Sequence, residues 1–181
     1  KLFENAGRSF GNFQKYLTDY PMHTLHETIK DFHNTPKRFD NLEAAIKNDL
    51  AGRADSVKDE IAFAMERRPE AGRLLTLYKK GLIPLRVTHN DTKLNNIMFD
   101  SETKMPICVV DLDTVMPGSA LYDFGDAIRF GASTAAEDEK DLDKVWCDMD
   151  LFDAYAKGFI KGCGGKLTQK EGDIQWLQYP H

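Results

Sequence analysis

Cysteine is scarce. Cys108, Cys147 and Cys163 are the only three, an odd number without a Cys-x-x-Cys spacing, so neither a disulfide framework nor a cysteine zinc site is supported. A reducing compartment, the cytoplasm, fits that usage best, and Cys108, inside an apolar run, is expected to be a small core residue. No hydrophobic run approaches the length that crosses a bilayer, and the amino-terminal segment lacks the pattern of a signal peptide. No excess of positive charge exists either: 24 Lys and Arg stand against 29 Asp and Glu, a formal net charge of -5. A nucleic-acid binder usually presents a concentrated basic face, and the pairs at 37–38 and 67–68 read as solvated charges. Internal repeats, low-complexity tracts and linkers are missing, as is a glycine-rich phosphate loop in a strand-then-helix context. The dense run Gly162 to Gly165 follows a helical pattern and reads as a helix stop.

What is present suits a globular domain. At 181 residues, 41% hydrophobic and 29% charged, the chain can bury a sizeable core and is expected to form a single domain over residues 1–181. Most of it carries helical spacing. Ala6, Phe10, Phe13 and Leu17 predict an amphipathic helix over 4–18 despite Gly7 and Gly11. Phe32 to Pro36 is expected to be a loop, since Pro36 biases Thr35 away from helix. Shorter helices follow over Leu42 to Leu50 and from Val57, where Ser56 with Asp59 suggests a cap, and over Leu74 to Lys80 before Gly81. Met116 to Ser119 reads as a turn and Leu121 to Phe130 as a helix. Leu142, Val145, Trp146, Met149, Phe152, Ala156, Phe159 and Ile160 predict one long helix over 139–161. Thr168 and Glu171 signal a capping box for a last helix bearing Trp176 and Leu177.

The chemistry concentrates between residues 88 and 115. His89, Asp91, Lys93 and Asn96 form a short polar run between two β-prone stretches, Ile83 to Val87 and Ile97 to Phe99, which suggests a loop carried on a rigid hairpin. Ile107 to Val110 is a second β-prone run that delivers Asp111. The turn at Asp100 to Lys104 folds it antiparallel onto Ile97 to Phe99 and brings Asp111 close to Asn96. With Asp91 as a third oxygen donor, hard ligands converge as Mg²⁺ requires. Asp113 shares a face with Asp111 only if the strand continues, because side chains alternate along an extended chain; a solvated strand edge is the other reading.

The spacing of His89, Asp91, Lys93 and Asn96 resembles the catalytic loop of protein kinases and of the aminoglycoside phosphotransferase and choline kinase group. Asp111-Leu112-Asp113 resembles the metal-binding strand end that follows it. The resemblance implies an α+β, predominantly helical fold: a protein kinase-like carboxy-terminal lobe in which a small antiparallel β-hairpin carries the catalytic and metal-binding loops. It implies ATP and Mg²⁺ as cofactors, Asp91 as the base that accepts the proton of the attacking hydroxyl, and Asn96 and Asp111 as magnesium ligands. Lys93 would steady the transferred phosphoryl group, although many small-molecule kinases of the group carry His there. His89 would buttress the loop, and Asp123 would hydrogen-bond its backbone. A chain that begins at Lys1, with no Val-Ala-x-Lys-like strand ahead of the loop, is expected to be the carboxy-terminal lobe alone. The amino-terminal nucleotide lobe of the same protein would be its partner, and the isolated lobe would be inactive.

The stretches 32–39, 85–96, 110–118, 122–126 and 133–139 together are similar to N-acetylhexosamine 1-kinases, which implies phosphorylation of the anomeric hydroxyl of N-acetylglucosamine or N-acetylgalactosamine. His33 and Arg38 could then meet sugar hydroxyls or phosphate, or simply face solvent. Kinases for choline, homoserine or an aminoglycoside are the alternatives, and their often cationic substrates call for sites that gather acids. Removal of sulfate from a sugar fails at its first requirement, a Cys or Ser in a Cys/Ser-x-Pro-x-Arg setting, which the chain does not contain.

Overall fold

The computed structural model describes residues 1–177, without the side chains of residues 174–177, so Trp176 and Leu177 lie outside the described side chains. In chain order the elements are α1 (Leu2–Tyr16), α2 (Thr35–Asn48), α3 (Lys58–Glu66), α4 (Arg73–Lys79), β1 (Arg86–Thr88), β2 (Ile97–Phe99) and β3 (Pro106–Val109). There follow β4 (Met116–Gly118), α5 (Ala120–Gly131), α6 (Met149–Cys163) and α7 (Gln169–Leu177). The chain divides into two compact units, residues 29–82 and the remainder.

The smaller unit holds α2, α3 and α4. Asn34 caps α2 by accepting from Lys37 N at 3.2 Å, with Pro36 in the first turn. Proline is well suited to that place, since its missing N–H would have no helical partner there. The loop expected to run through Pro36 therefore ends at Asn34. The expected Ser56 cap does not form: Ser56 Oγ donates back to the Arg53 carbonyl at 2.8 Å. Arg68 pairs with both Asp40 and Glu43.

The larger unit is built on the crossing of α1 and α6. Gly7 and Gly11 on α1 face Gly158 and Gly162 on α6, and a Cβ at any of them would run into backbone of the other helix: Tyr155 O at Gly7, Phe159 O at Gly11, Glu4 O at Gly158, Arg8 O at Gly162. The α1 glycines are thus the contact surface rather than interruptions, and Gly162 belongs to the helix interior. The stop comes two residues later, where Gly164 takes a left-handed conformation at φ 57° that suits glycine. Phe3, Phe10, Phe124, Phe152, Tyr155 and Phe159 fill the core around this crossing.

The long helix expected over 139–161 begins only at Met149. Asp148 caps it, accepting from Asp150 N at 2.9 Å and Leu151 N at 3.0 Å. Before it, Trp146 and Cys147 are drawn beside Ser133 and Thr134, leaving Leu142 at 78% and Trp146 at 60% exposure. The helical spacing of those apolar residues is therefore coincidental.

The strands form two antiparallel pairs, β1 with β4 and β2 with β3. The second pair is the expected hairpin, in register Ile97 to Val109 and Met98 to Cys108. Met98 and Cys108 pair on one face and both are exposed, as is Ile107 on the other face, so Cys108 is not in the core. The first pair was not expected, because Met116 to Ser119 reads as a turn. Gly118 lies opposite Arg86, and a Cβ there would strike the Thr88 hydroxyl.

Candidate active site

Residues 89–96 leave β1 and reach β2 through an irregular loop whose backbone is tied down from several sides. His89 is fully buried and packs edge-on against Phe10, with ring centroids 5.4 Å apart. Its Nε2 donates to the Val110 carbonyl at 3.0 Å, and its Nδ1 accepts from Asp91 N at 3.3 Å. Both ring nitrogens are committed to backbone partners, the Val110 carbonyl and Asp91 N.

Asp91 follows with its carboxyl partly exposed. Asn96 Nδ2 donates both to the Asp91 carbonyl at 2.8 Å and to Asp91 Oδ2 at 2.9 Å. Lys93 Nζ lies 3.6 Å from Asp91 Oδ1. The carboxylate is therefore oriented by an amide on one oxygen and faces a cation on the other. Asn96 N closes a tight turn onto the Lys93 carbonyl, and Val110 N donates to the Asn96 carbonyl at 2.9 Å, joining the loop to the end of β3.

Asp111 adopts a left-handed backbone at φ 64°, and Leu112–Thr114 form a single 3-10 turn. The strand does not continue through Asp113. That turn, not strand alternation, brings the two acids together: hydrogen bonding of the protonated Asp111 carboxyl to Asp113, and the charge of Asp113, hold Asp111 above its ordinary value, with a smaller push from Asp91. Asp111 thus feels the charges of both other carboxyl groups, Asp113 in its own turn and Asp91 in the preceding loop. Among the described residues no three or more His, Cys, Asp and Glu side chains are gathered into a metal cage. The donor set here is an acidic pair, a third carboxylate and the amide of Asn96. Such hard oxygens suit a cation that retains waters and binds substrate phosphates.

Helix α5 supports the loop from beneath. Ser119 caps it, and Asp123 in its first turns is fully buried. Asp123 accepts from His89 N at 3.0 Å, Asn90 N at 2.8 Å and Gln14 Nε2 at 2.7 Å. Burial raises its carboxyl to about 6 despite those donors. Asp126, one turn further on, accepts from Thr92 N at 2.9 Å and pairs with Arg129 at 3.1 Å. Arg129 also pairs with Glu137 at 2.6 Å and holds that carboxyl below its ordinary value, and Glu137 feels the charges of Lys93 and Asp91 as well. A groove of about 400 Å³ beside this pair is lined in part by Arg129, Phe130, Ser133, Ala136 and Glu137.

His89, Asp91, Lys93, Asn96, Asp111, Asp113 and Asp123 are brought together within one unit. His33 and Arg38 belong to the other: the His33 ring lies tilted against Phe32, centroids 4.7 Å apart, and Arg38 donates to the Phe32 carbonyl at 2.6 Å. Sequence reasoning missed Asp126, although its i,i+3 spacing from Asp123 on one helix face was a readable signal. It also missed Gln14, Asn90 and Thr114, which carry no motif. The sequence model of the phosphotransferase enzyme family (APH) matches residues 7–157.

Proposed function

The chain belongs to the phosphotransferase enzyme family, and we propose that it carries the catalytic-loop lobe of an ATP-dependent kinase that phosphorylates the anomeric hydroxyl of an N-acetylhexosamine. The observation that carries this reading is that Asp91, held by Asn96, sits on a loop tied by Asn96 O and His89 Nε2 to Val110, the residue that leads into Asp111 and the turn bearing Asp113. Phosphoryl transfer through a loose transition state needs little covalent help, so positioning and charge neutralisation dominate.

Asp91 accepts the proton of the attacking hydroxyl through the carboxylate that Asn96 orients. Lys93 offers a cation to the transferred phosphoryl group from its place beside Asp91. Asp111, Asp113 and the amide oxygen of Asn96 would hold Mg²⁺, which when bound neutralises charge on the β and γ phosphates. His89 and Asp123 do no chemistry; they fix the backbone that presents Asp91.

Two features support a neutral sugar over a cationic alcohol. The stretches 32–39 and 133–139 are similar to N-acetylhexosamine 1-kinases. The groove beside the Arg129–Glu137 pair carries two acids, Glu137 neutralised by Arg129 and Glu139 bound to Asp141 N, next to Phe130, Leu142 and Val145, so it offers donors, acceptors and an apolar wall with one of its acids already paired. The test is ADP release by the full-length protein supplied with ATP and Mg²⁺ and, in turn, N-acetylglucosamine, N-acetylgalactosamine, choline, homoserine and an aminoglycoside. Turnover with an N-acetylhexosamine alone is expected; preference for a cationic alcohol would overturn the substrate assignment and keep the kinase reading.

A further inference from the structure

Asn90 stands between the catalytic residues yet takes no part in the chemistry described above. Its backbone is left-handed at φ 67°. That conformation alone is met most easily by glycine, with asparagine the most tolerant of the other residues. What Asn90 adds is a side chain, and it is buried and fully employed. Nδ2 donates to the Thr114 carbonyl at 2.9 Å and to the Thr88 carbonyl at 3.3 Å. Oδ1 lies 3.0 Å from the Thr88 hydroxyl, which also reaches the Met116 carbonyl at 2.9 Å. Thr114 answers from the other side, its hydroxyl donating to the His89 carbonyl at 2.7 Å.

These bonds run between two segments: the loop that presents Asp91, and the turn that presents Asp111 and Asp113. The arrangement also accounts for Gly118, since a Cβ there would meet the Thr88 hydroxyl and lie 3.1 Å from Asn90 Oδ1. We propose that Asn90 and Thr114 form a reciprocal latch in which Asn90 is a positioning residue, setting the placement of Asp91 relative to the Asp111–Asp113 pair. This rests on the kinase reading of the site, in which the base and the acidic pair must act on one phosphoryl group. Displacement of a reacting group by about 1 Å can cost on the order of a hundredfold in rate.

Asn90→Gly keeps the left-handed backbone and removes the latch. Thr114→Val removes the answering hydroxyl, and Thr114→Ser restores it. In the full-length protein, Asn90→Gly and Thr114→Val are each expected to lower kcat by about tenfold or more, with the KM values for ATP and acceptor little changed and Thr114→Ser close to wild type. Because both changes open one latch, the double variant should lose less than the product of the single losses. Amide exchange over residues 111–115 should quicken in both single variants, a readout independent of turnover. Faster exchange with unchanged kcat, equal losses in Thr114→Ser and Thr114→Val, or fully multiplicative losses would each overturn the positioning role. Should Asn90→Gly not fold, the Thr114 pair decides the matter alone. A wild-type protein that exchanges slowly over 111–115 but transfers no phosphoryl group to any acceptor would overturn the kinase reading instead.

Discussion

Asp111 stands at the head of the 3-10 turn that carries Asp113, and the neighbouring Asp113 carboxyl, by hydrogen bonding and charge, pushes the Asp111 carboxyl above its ordinary value. Two acids placed this close repel once both are ionised, and a divalent cation held by them would relieve that cost. Asp113→Asn is expected to bring the Asp111 carboxyl down toward its ordinary value and to weaken Mg²⁺ binding. Asp111→Asn should weaken it at least as much. A Mg²⁺ titration followed by calorimetry checks both, and an unchanged titration in Asp111→Asn would remove that residue from the ligand set.

The crossing of α1 and α6 depends on glycine at both helices. Gly11→Ala would push a methyl group against Phe159 O and Cys163 N, backbone atoms that cannot turn aside. Overpacking of this kind costs about 1–3 kcal/mol. Denaturant unfolding should show that loss, whereas Gly125→Ala, where a Cβ meets nothing within 4 Å, should be neutral or slightly stabilising.

Stability should also carry the signature of Asp123. Burial raises its carboxyl to about 6 in the folded protein, against an unfolded value near ~3.9. The folded state therefore binds this proton more tightly than the unfolded chain does. The stabilisation from that extra proton is complete below the unfolded value and is lost as pH rises through about 6. Urea denaturation between those limits should show this falling contribution in the wild type and its absence in Asp123→Asn; equal pH slopes in the two proteins would contradict the assignment.

Arg86 and Glu171 form a bidentate pair, both contacts at 2.7 Å, with Glu171 fully buried. Glu171 also closes the expected capping box, accepting from Thr168 N at 2.7 Å. Removing one partner strands the other charge in a poorly solvated place, so Glu171→Ala should destabilise the fold by about 3 kcal/mol. Thermal unfolding measures it, and a loss below about 1 kcal/mol, the level of an exposed pair, would show that Arg86 finds solvent.

The parts of this molecule that were legible in its sequence are those governed by short-range rules. The hairpin of β2 and β3 followed from two β-prone runs about a turn, and the loop from the spacing of His89, Asp91, Lys93 and Asn96. The α7 cap followed from Thr168 and Glu171. The parts that were not legible depend on distant neighbours. Pro117 and Gly118 look like a turn until β1 lies beside them, when the lack of a Cβ at Gly118 becomes a condition of the pairing. Leu142, Val145 and Trp146 match a helical stripe, yet the cap at Asp148 and the pairing with Ser133 and Thr134 prevent the helix from extending back to them. Asn90 and Thr114 carry no pattern at all, because their partners are mostly backbone carbonyls brought near by the fold.

The proposed proton acceptor is Asp91. Asp91→Asn keeps the shape of the side chain and removes its basicity, and the loss of a positioned general base costs about 10²- to 10⁴-fold in rate. In the full-length protein, with ATP, Mg²⁺ and an N-acetylhexosamine, single-turnover phosphoryl transfer by Asp91→Asn should fall by that much while ATP affinity stays near that of the wild type. Transfer at the wild-type rate would contradict the central claim.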